Sequence, residues 1–118
     1  MIIYRPWGNF KVIHTDKGYT VKILTIDPGQ AISLQSHQLR QETWVIVEGT
    51  GELVLGKELT KLSVTQISSL EKYFIDKQMI HRVRNTGNVP LVILELQTGI
   101  CSEEDIQRFK DDYGRVDG

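Results

Sequence analysis

The sequence predicts an all-β fold of the jelly-roll type, on three observations. Short segments rich in β-branched and aromatic residues recur along the chain. Turn-forming residues separate them at short intervals, and only the stretch after residue 101 departs from this rhythm.

The expected strands are Asn9–His14, Tyr19–Ile26, Ile32–Gln35, Thr43–Glu48, Glu52–Leu55, Lys61–Ile67, Tyr73–Ile75, His81–Asn85 and Leu91–Gln97. Most alternate partly with period two, as half-buried strands do. The breaks between them have chemical reasons. In Asp27-Pro28-Gly29 the proline presets φ, and in Gly49-Thr50-Gly51, Gly56-Lys57 and Thr86-Gly87-Asn88 glycine and asparagine tolerate positive φ. At the C-terminus, Ser102 precedes Glu103, Glu104 and Asp105, an N-cap followed by an acidic first turn. Ile106, Phe109 and Tyr113 fall near helical spacing, so a short helix over about 103–112 is expected to lie against the barrel.

With 118 residues the chain fits a single domain spanning 1–118, large enough for a core without staples. Fourteen basic and fifteen acidic side chains are intermixed, which gives no basic stripe of the kind a nucleic-acid partner requires. A small anionic substrate remains compatible, since one or two local cations suffice for it. No apolar run approaches the length needed to span a bilayer, so no membrane partner is expected. The single Cys101 and a start lacking a basic region and a long apolar run predict a cytoplasmic protein.

Gln35 and His37 are two residues apart and on a strand would share a face. Glu42 lies at an odd offset from His37, so Gln38–Gln41 must turn or bulge before Glu42, Trp44 and Ile46 can point inward. His81 would approach from a neighbouring strand. Each of these residues alone has an ordinary structural explanation; their combination is what suits Zn²⁺ or another first-row divalent ion.

From Gly29 the spacing reads Gly, five residues, Gln35, one residue, His37, four residues, Glu42, six residues, Gly49. This resembles the first motif of the cupin superfamily, with Gln35 where histidine is usual. Of the second motif, His81 and Asn85 survive, while Leu70, Asp76 and Gln78 stand at its Gly, Pro and Gly positions. Further matching segments include Arg5-Pro6-Trp7-Gly8, Val21-Lys22, Arg40-x-Glu42-x-Trp44, Ile80-His81-Arg82, Glu95-x-Gln97-x-Gly99 and Glu104-Asp105-Ile106-x-Arg108-Phe109. With them, nearly the whole chain resembles the isomerase domain of type II phosphomannose isomerases.

The resemblance implies a cupin barrel that interconverts mannose 6-phosphate and fructose 6-phosphate. It implies a divalent metal on Gln35, His37, Glu42 and His81, usually taken as zinc, with Mn, Ni, Co or Fe as alternatives. Lys22, Arg40 and Arg82 match the family pattern and are the candidate catalytic or phosphate-binding cations. Single-domain cupins commonly pair, so a homodimer is expected, through the Ile2–Trp7 segment or Tyr73–Ile75. In the family this domain often follows a mannose-1-phosphate guanylyltransferase domain; the chain lacks a nucleotide-binding Gly-rich loop and is expected to be a free-standing isomerase-like unit. It also carries Gln38, Leu39 and Thr43 where family members commonly have histidines, removing basic groups from beside the expected metal. That favours one alternative, a non-catalytic cupin binding a sugar or sugar phosphate; another small-molecule metal enzyme is a further alternative because one fold hosts many chemistries.

Overall fold

The computed structural model of the chain describes residues 1–115. Eleven strands form two antiparallel sheets, and no helix occurs among the described residues. The strands are β1 (Ile2–Arg5), β2 (Gly8–Asp16), β3 (Tyr19–Ile26), β4 (Leu34–Ser36), β5 (Arg40–Glu48), β6 (Thr50–Gly56), β7 (Ser63–Ser68), β8 (Lys72–Ile75), β9 (Ile80–Asn85), β10 (Leu91–Gly99) and β11 (Gln107–Lys110). The larger sheet runs β1-β2-β3-β10-β5-β8 and the smaller β11-β4-β9-β6-β7. Facing each other, they make the jelly-roll barrel that the sequence predicts. Accordingly, no helix among the described residues is long and apolar enough to cross a membrane.

One expectation is corrected here. The segment 103–112 is not a helix: residues 103 and 104 form a turn, and Gln107–Lys110 adds to the smaller sheet as β11, beside β4. The first strand, β1, was not among the expected strands either. It pairs with β2 and ends where Pro6, which has no N–H, stops the ladder. Immediately after it, Gly8 passes so close to Thr25 that a Cβ would run into the Thr25 carbonyl.

The barrel has an apolar end and a polar end, and the division is written along each strand of the larger sheet. On β10 the inward residues are Leu91, Ile93, Glu95 and Gln97, all buried. Their partners on β3 are Ile26, Leu24, Lys22 and Thr20, and on the other side Ile93, Glu95 and Gln97 pair with Ile46, Trp44 and Glu42 of β5. Three adjacent strands therefore switch from aliphatic to polar in register. At the apolar end Ile26, Ile46, Leu53, Val83, Leu91 and Ile93 join the core. A buried Leu or Ile contributes about 1.5–3 kcal/mol, and this half secures the barrel while the other half is left for chemistry.

Candidate metal centre

His37, Glu42 and His81 come from three places: the loop after β4, strand β5 and strand β9. Their ligand atoms all lie within 4.8 Å of one another, and all three residues are buried. Gln35 stands opposite His81 in the β4–β9 register and lines the same cavity, which has a volume of about 140 Å³. The chain reaches this arrangement as the spacing requires. Strand β4 ends at Ser36, residues 38 and 39 bend, and β5 restarts at Arg40 with Glu42 pointing inward.

The proton positions follow from the partners. His37 Nδ1 lies 2.5 Å from the Asp105 carbonyl and His81 Nδ1 3.0 Å from that of Met79. A carbonyl only accepts, so each Nδ1 carries the proton and each Nε2 keeps a lone pair. Arg40 Nη2, which can only donate, sits 3.2 Å from His37 Nε2 and agrees with this tautomer. Both imidazoles are pushed down to a pKa of about 4. Burial is the main cause, and for His37 the neighbouring Arg40 guanidinium adds to it. Both are therefore neutral at physiological pH, as metal ligands must be. The two Nε2 atoms face the Glu42 carboxylate at 3.4 and 3.6 Å.

This donor set fits a divalent cation. Two bare imidazole nitrogens and a carboxylate converge, and each ring is oriented by a backbone carbonyl behind it. A cation is already drawn to the spot, because Arg40 places Nε and Nη2 each 2.9 Å from Glu42 Oε2. Trp44 Nε1 donates to the other oxygen of Glu42 at 3.2 Å.

Comparison with known proteins places this architecture. The sequence matches the family described as mannose-6-phosphate isomerase C-terminal over residues 1–111. The chain belongs to this family. It is 40% identical to xanthan biosynthesis protein XanB of Xanthomonas campestris over 97% of the chain. It is 39% identical to alginate biosynthesis protein AlgA of Pseudomonas putida and 36% identical to mannose-1-phosphate guanylyltransferase ManC of Salmonella typhimurium, each over 97% of the chain. The match covers only 24%, 23% and 23% of those three relatives, so the chain spans about a quarter of their length. Among solved structures, the capsular polysaccharide assembling protein CapF of Staphylococcus aureus superposes with a TM-score of 0.81 at 18% identity, over 93% of this chain and 34% of that one. Oxalate decarboxylase of Lactobacillus farciminis gives 0.80 at 17%, over 92% and 33%. At such identities these two structures speak for the cupin fold alone.

The positions at which this member departs from the family pattern now have structural meaning. Leu70 and Gln78, at the Gly positions of the second motif, both adopt positive φ, 72° and 64°. The backbone has kept the glycine conformation without the glycine. Gln78 N donates to the His37 carbonyl at 2.6 Å, and the Asp76 carbonyl accepts from Met79 N at 3.2 Å, so the loop still delivers His81. Asn85 is structural: its amide bonds the Ile26 and Val89 carbonyls, each at 2.8 Å. Gln38, Leu39 and Thr43 do not line the cavity. Gln38 and Leu39 are exposed, and Thr43 is on the opposite face of β5 from Glu42 and Trp44. The side chains present at these three places therefore stand outside the cavity lining.

The three expected cations separate. Lys22 lines the cavity, bonded to Glu103 at 2.6 Å and stacked over Phe10 at 4.6 Å. Arg40 also lines it, tied to Glu42 and, through Nη1, to the Ser102 carbonyl at 3.3 Å. Arg82 does not. It follows His81 on a strand and so faces the other side, where it bonds the Ile32 carbonyl at 3.1 Å and pairs with Asp112 at 2.6 Å.

Glu95, Gln97 and Arg108 line the cavity and were not among the expected site residues. Glu95 is buried, accepts from Trp44 Nε1 at 3.0 Å and from Gln97 at 2.6 Å, and is raised to a pKa of about 7, chiefly by burial and then by Glu42. A sequence signal for it exists: Glu95 and Gln97 keep the inward phase of Leu91 and Ile93.

Proposed function

We propose that this chain is a metal-dependent aldose–ketose isomerase acting on mannose 6-phosphate and fructose 6-phosphate. The observation that carries the reading is the cavity itself: the two neutral imidazoles and Glu42 converge in the same space that Lys22, Glu95 and Gln97 line. Family membership over residues 1–111 supports the substrate class.

In this reading Gln35, His37, Glu42 and His81 hold a divalent ion, zinc by preference of the nitrogen and oxygen donors, with Mn, Ni, Co and Fe as alternatives. A bound ion supplies Lewis-acid polarisation of the sugar oxygens. The chain supplies the rest. While a hydroxyl proton passes between O2 and O1, the reaction moves a proton between C2 and C1 of the open-chain sugar. Glu95, buried and with a pKa of about 7, suits a base that accepts this proton at one carbon and returns it to the next. Lys22, its register partner on β3, holds positive charge beside it, where negative charge develops on the sugar oxygens. Arg40 holds Glu42 in place. A cytoplasmic setting and a homodimer formed through an open edge of the larger sheet, β1 or β8, belong to the same proposal.

Metal analysis of protein purified without chelator, followed by a coupled assay on mannose 6-phosphate, tests this. Turnover is expected only with the metal restored. His37→Ala should lose both metal and turnover, and Glu95→Gln should keep the metal and lose turnover. Folded, metal-loaded protein that leaves mannose 6-phosphate unchanged overturns the isomerase reading.

A further inference from the structure

Five basic side chains line the cavity, Arg5, Lys22, Arg40, Arg108 and Arg115, against three carboxylates, Glu42, Glu95 and Glu103. The excess of positive charge is not spread evenly. Lys22 is bonded to Glu103 and Arg40 to Glu42. Arg115 is clamped by both oxygens of Asp111, each at 3.0 Å. Arg5 is exposed, bonds its neighbour's carbonyl and lies over the Phe10 ring. Arg108 differs from all of these. Its side chain makes no hydrogen bond or ion pair among the described residues, yet its Nε is buried. Strand β11 pairs Arg108 directly with Gln35, and side chains of directly paired residues project from the same face of a sheet.

A guanidinium carries five donors and no acceptor, and leaving a buried donor unpaired is costly. A group kept in that state beside a cavity with surplus positive charge is matched by an anion arriving with the ligand. The planar fork suits the oxygens of a phosphate, which it can bind in two parallel bonds.

We infer that Arg108 anchors the phosphate group of the ligand, taking the role that the sequence pattern offered to Lys22, Arg40 and Arg82; Lys22 is bonded to Glu103. Arg40 is committed to Glu42, and Arg82 faces away from the cavity. The naming of a sugar phosphate rests on the isomerase reading above; the anchoring of a phosphate does not. One part of the cavity thus recognises the sugar oxygens and Arg108 recognises the phosphate, so the substrate is selected for being phosphorylated.

Trp7 and Trp44 line the cavity, so binding can be followed by tryptophan fluorescence with inorganic phosphate, fructose 6-phosphate and fructose as probes. Wild-type protein should bind the sugar phosphate more tightly than the plain sugar. Arg108→Gln should weaken inorganic phosphate and fructose 6-phosphate by roughly tenfold or more, about 1.4 kcal/mol per tenfold, and leave fructose unchanged. Arg108→Lys, which keeps a charge without the fork, should recover part of the loss. Arg84→Gln, on the outer face, should behave as wild type. Melting curves confirm that each variant is folded, and the lysine variant carries the comparison if the glutamine variant is not. Wild-type phosphate affinity in folded Arg108→Gln, or in Arg108→Lys where it stands in, overturns the inference, as does wild-type indifference to the sugar's phosphate. Sugar phosphate binding that depends on Arg108 without any turnover would defeat the isomerase reading and leave the anchor standing. Turnover with an unchanged KM in Arg108→Gln would do the reverse.

Discussion

Arg40 and Glu42 form a buried ion pair at the place where the donor set calls for a metal, and this makes the pair a sensitive probe of the site. Arg40 is 7% exposed and Glu42 2%. Glu42→Gln keeps the shape and removes the charge, leaving the guanidinium buried without its main partner. Breaking a buried pair from one side costs about 3–5 kcal/mol. Here the lower end applies, because Nη1 of Arg40 still has the Ser102 carbonyl at 3.3 Å and Glu103 at 3.8 Å. A loss of about 3 kcal/mol corresponds to a fall in Tm of roughly 10 °C for a domain of this size. Arg40→Met exposes the opposite fault, a buried carboxylate facing two neutral imidazoles, and should cost a similar amount in metal-free protein.

Metal distinguishes the two variants. A divalent ion replaces the missing cation in Arg40→Met, so saturating metal should restore most of its Tm. At a hundred times Kd, ligand binding alone adds about 2.7 kcal/mol. Glu42→Gln has lost the charged ligand and should gain little. Replacing both residues with apolar ones, Arg40→Met with Glu42→Leu, should recover stability relative to Glu42→Gln while abolishing metal binding, since a packed apolar pair often replaces a buried ion pair without loss. Thermal melts with and without added Zn²⁺, at fixed protein concentration, provide the measurement. If Arg40→Met gains no more from metal than Glu42→Gln does, the cation and the metal do not share this place and the reasoning fails.

Two further outcomes are expected. Asp105 accepts the backbone N–H groups of Gln38 and Leu39, each at 2.9 Å, while its own carbonyl fixes His37. Asp105→Ala should therefore weaken metal affinity by about 10–100-fold in a chelator competition, and an affinity equal to wild type would refute this orienting role. Leu70 is exposed and Gln78 has positive φ as well, so Leu70→Gly with Gln78→Gly should relieve about 1–2 kcal/mol of left-handed strain per residue, less about 0.5–1 kcal/mol of glycine entropy each. A Tm raised by a few degrees is expected, and a lowered Tm in the double variant would show that these backbones are not strained.

Much of the barrel was legible because strands of period two leave a strong signal: nine of the eleven strands were anticipated. The ligand spacing was legible for a related reason, since Gln35, His37 and Glu42 depend on local chain geometry and one bend. Arg82 was misplaced although the sequence carried the correction: adjacent residues on a strand face opposite ways, so His81 inward puts Arg82 outward. Glu95 and Gln97 were passed over as catalytic candidates because their meaning lies in the register. Only the pairing of Glu95 with Lys22 and Trp44, and of Gln97 with Thr20 and Glu42, reveals a polar layer.

The C-terminal segment went wrong for an instructive reason. Its helix-start signature is real locally: Glu104 N bonds Ser102 Oγ at 3.3 Å and Asp105 N bonds the Ser102 carbonyl at 3.1 Å. What the sequence does not display is the competition for the next residues. An isolated helix of about ten residues is marginal in water, whereas the three-residue strand β4 presents an edge whose backbone groups need partners. Gln107–Lys110 takes that edge. Once it does, three polar residues of the segment serve the cavity or its walls: Glu103 on Lys22, the Asp105 carboxylate on the loop before β5 with its carbonyl on His37, and Arg108 opposite Gln35. A helix over 103–112 would lose the β11–β4 ladder that sets Arg108 opposite Gln35, and would have to hold Glu103 and Asp105 to the cavity by other means. The strand wins over the local propensity because it seals β4 and completes the site in one step.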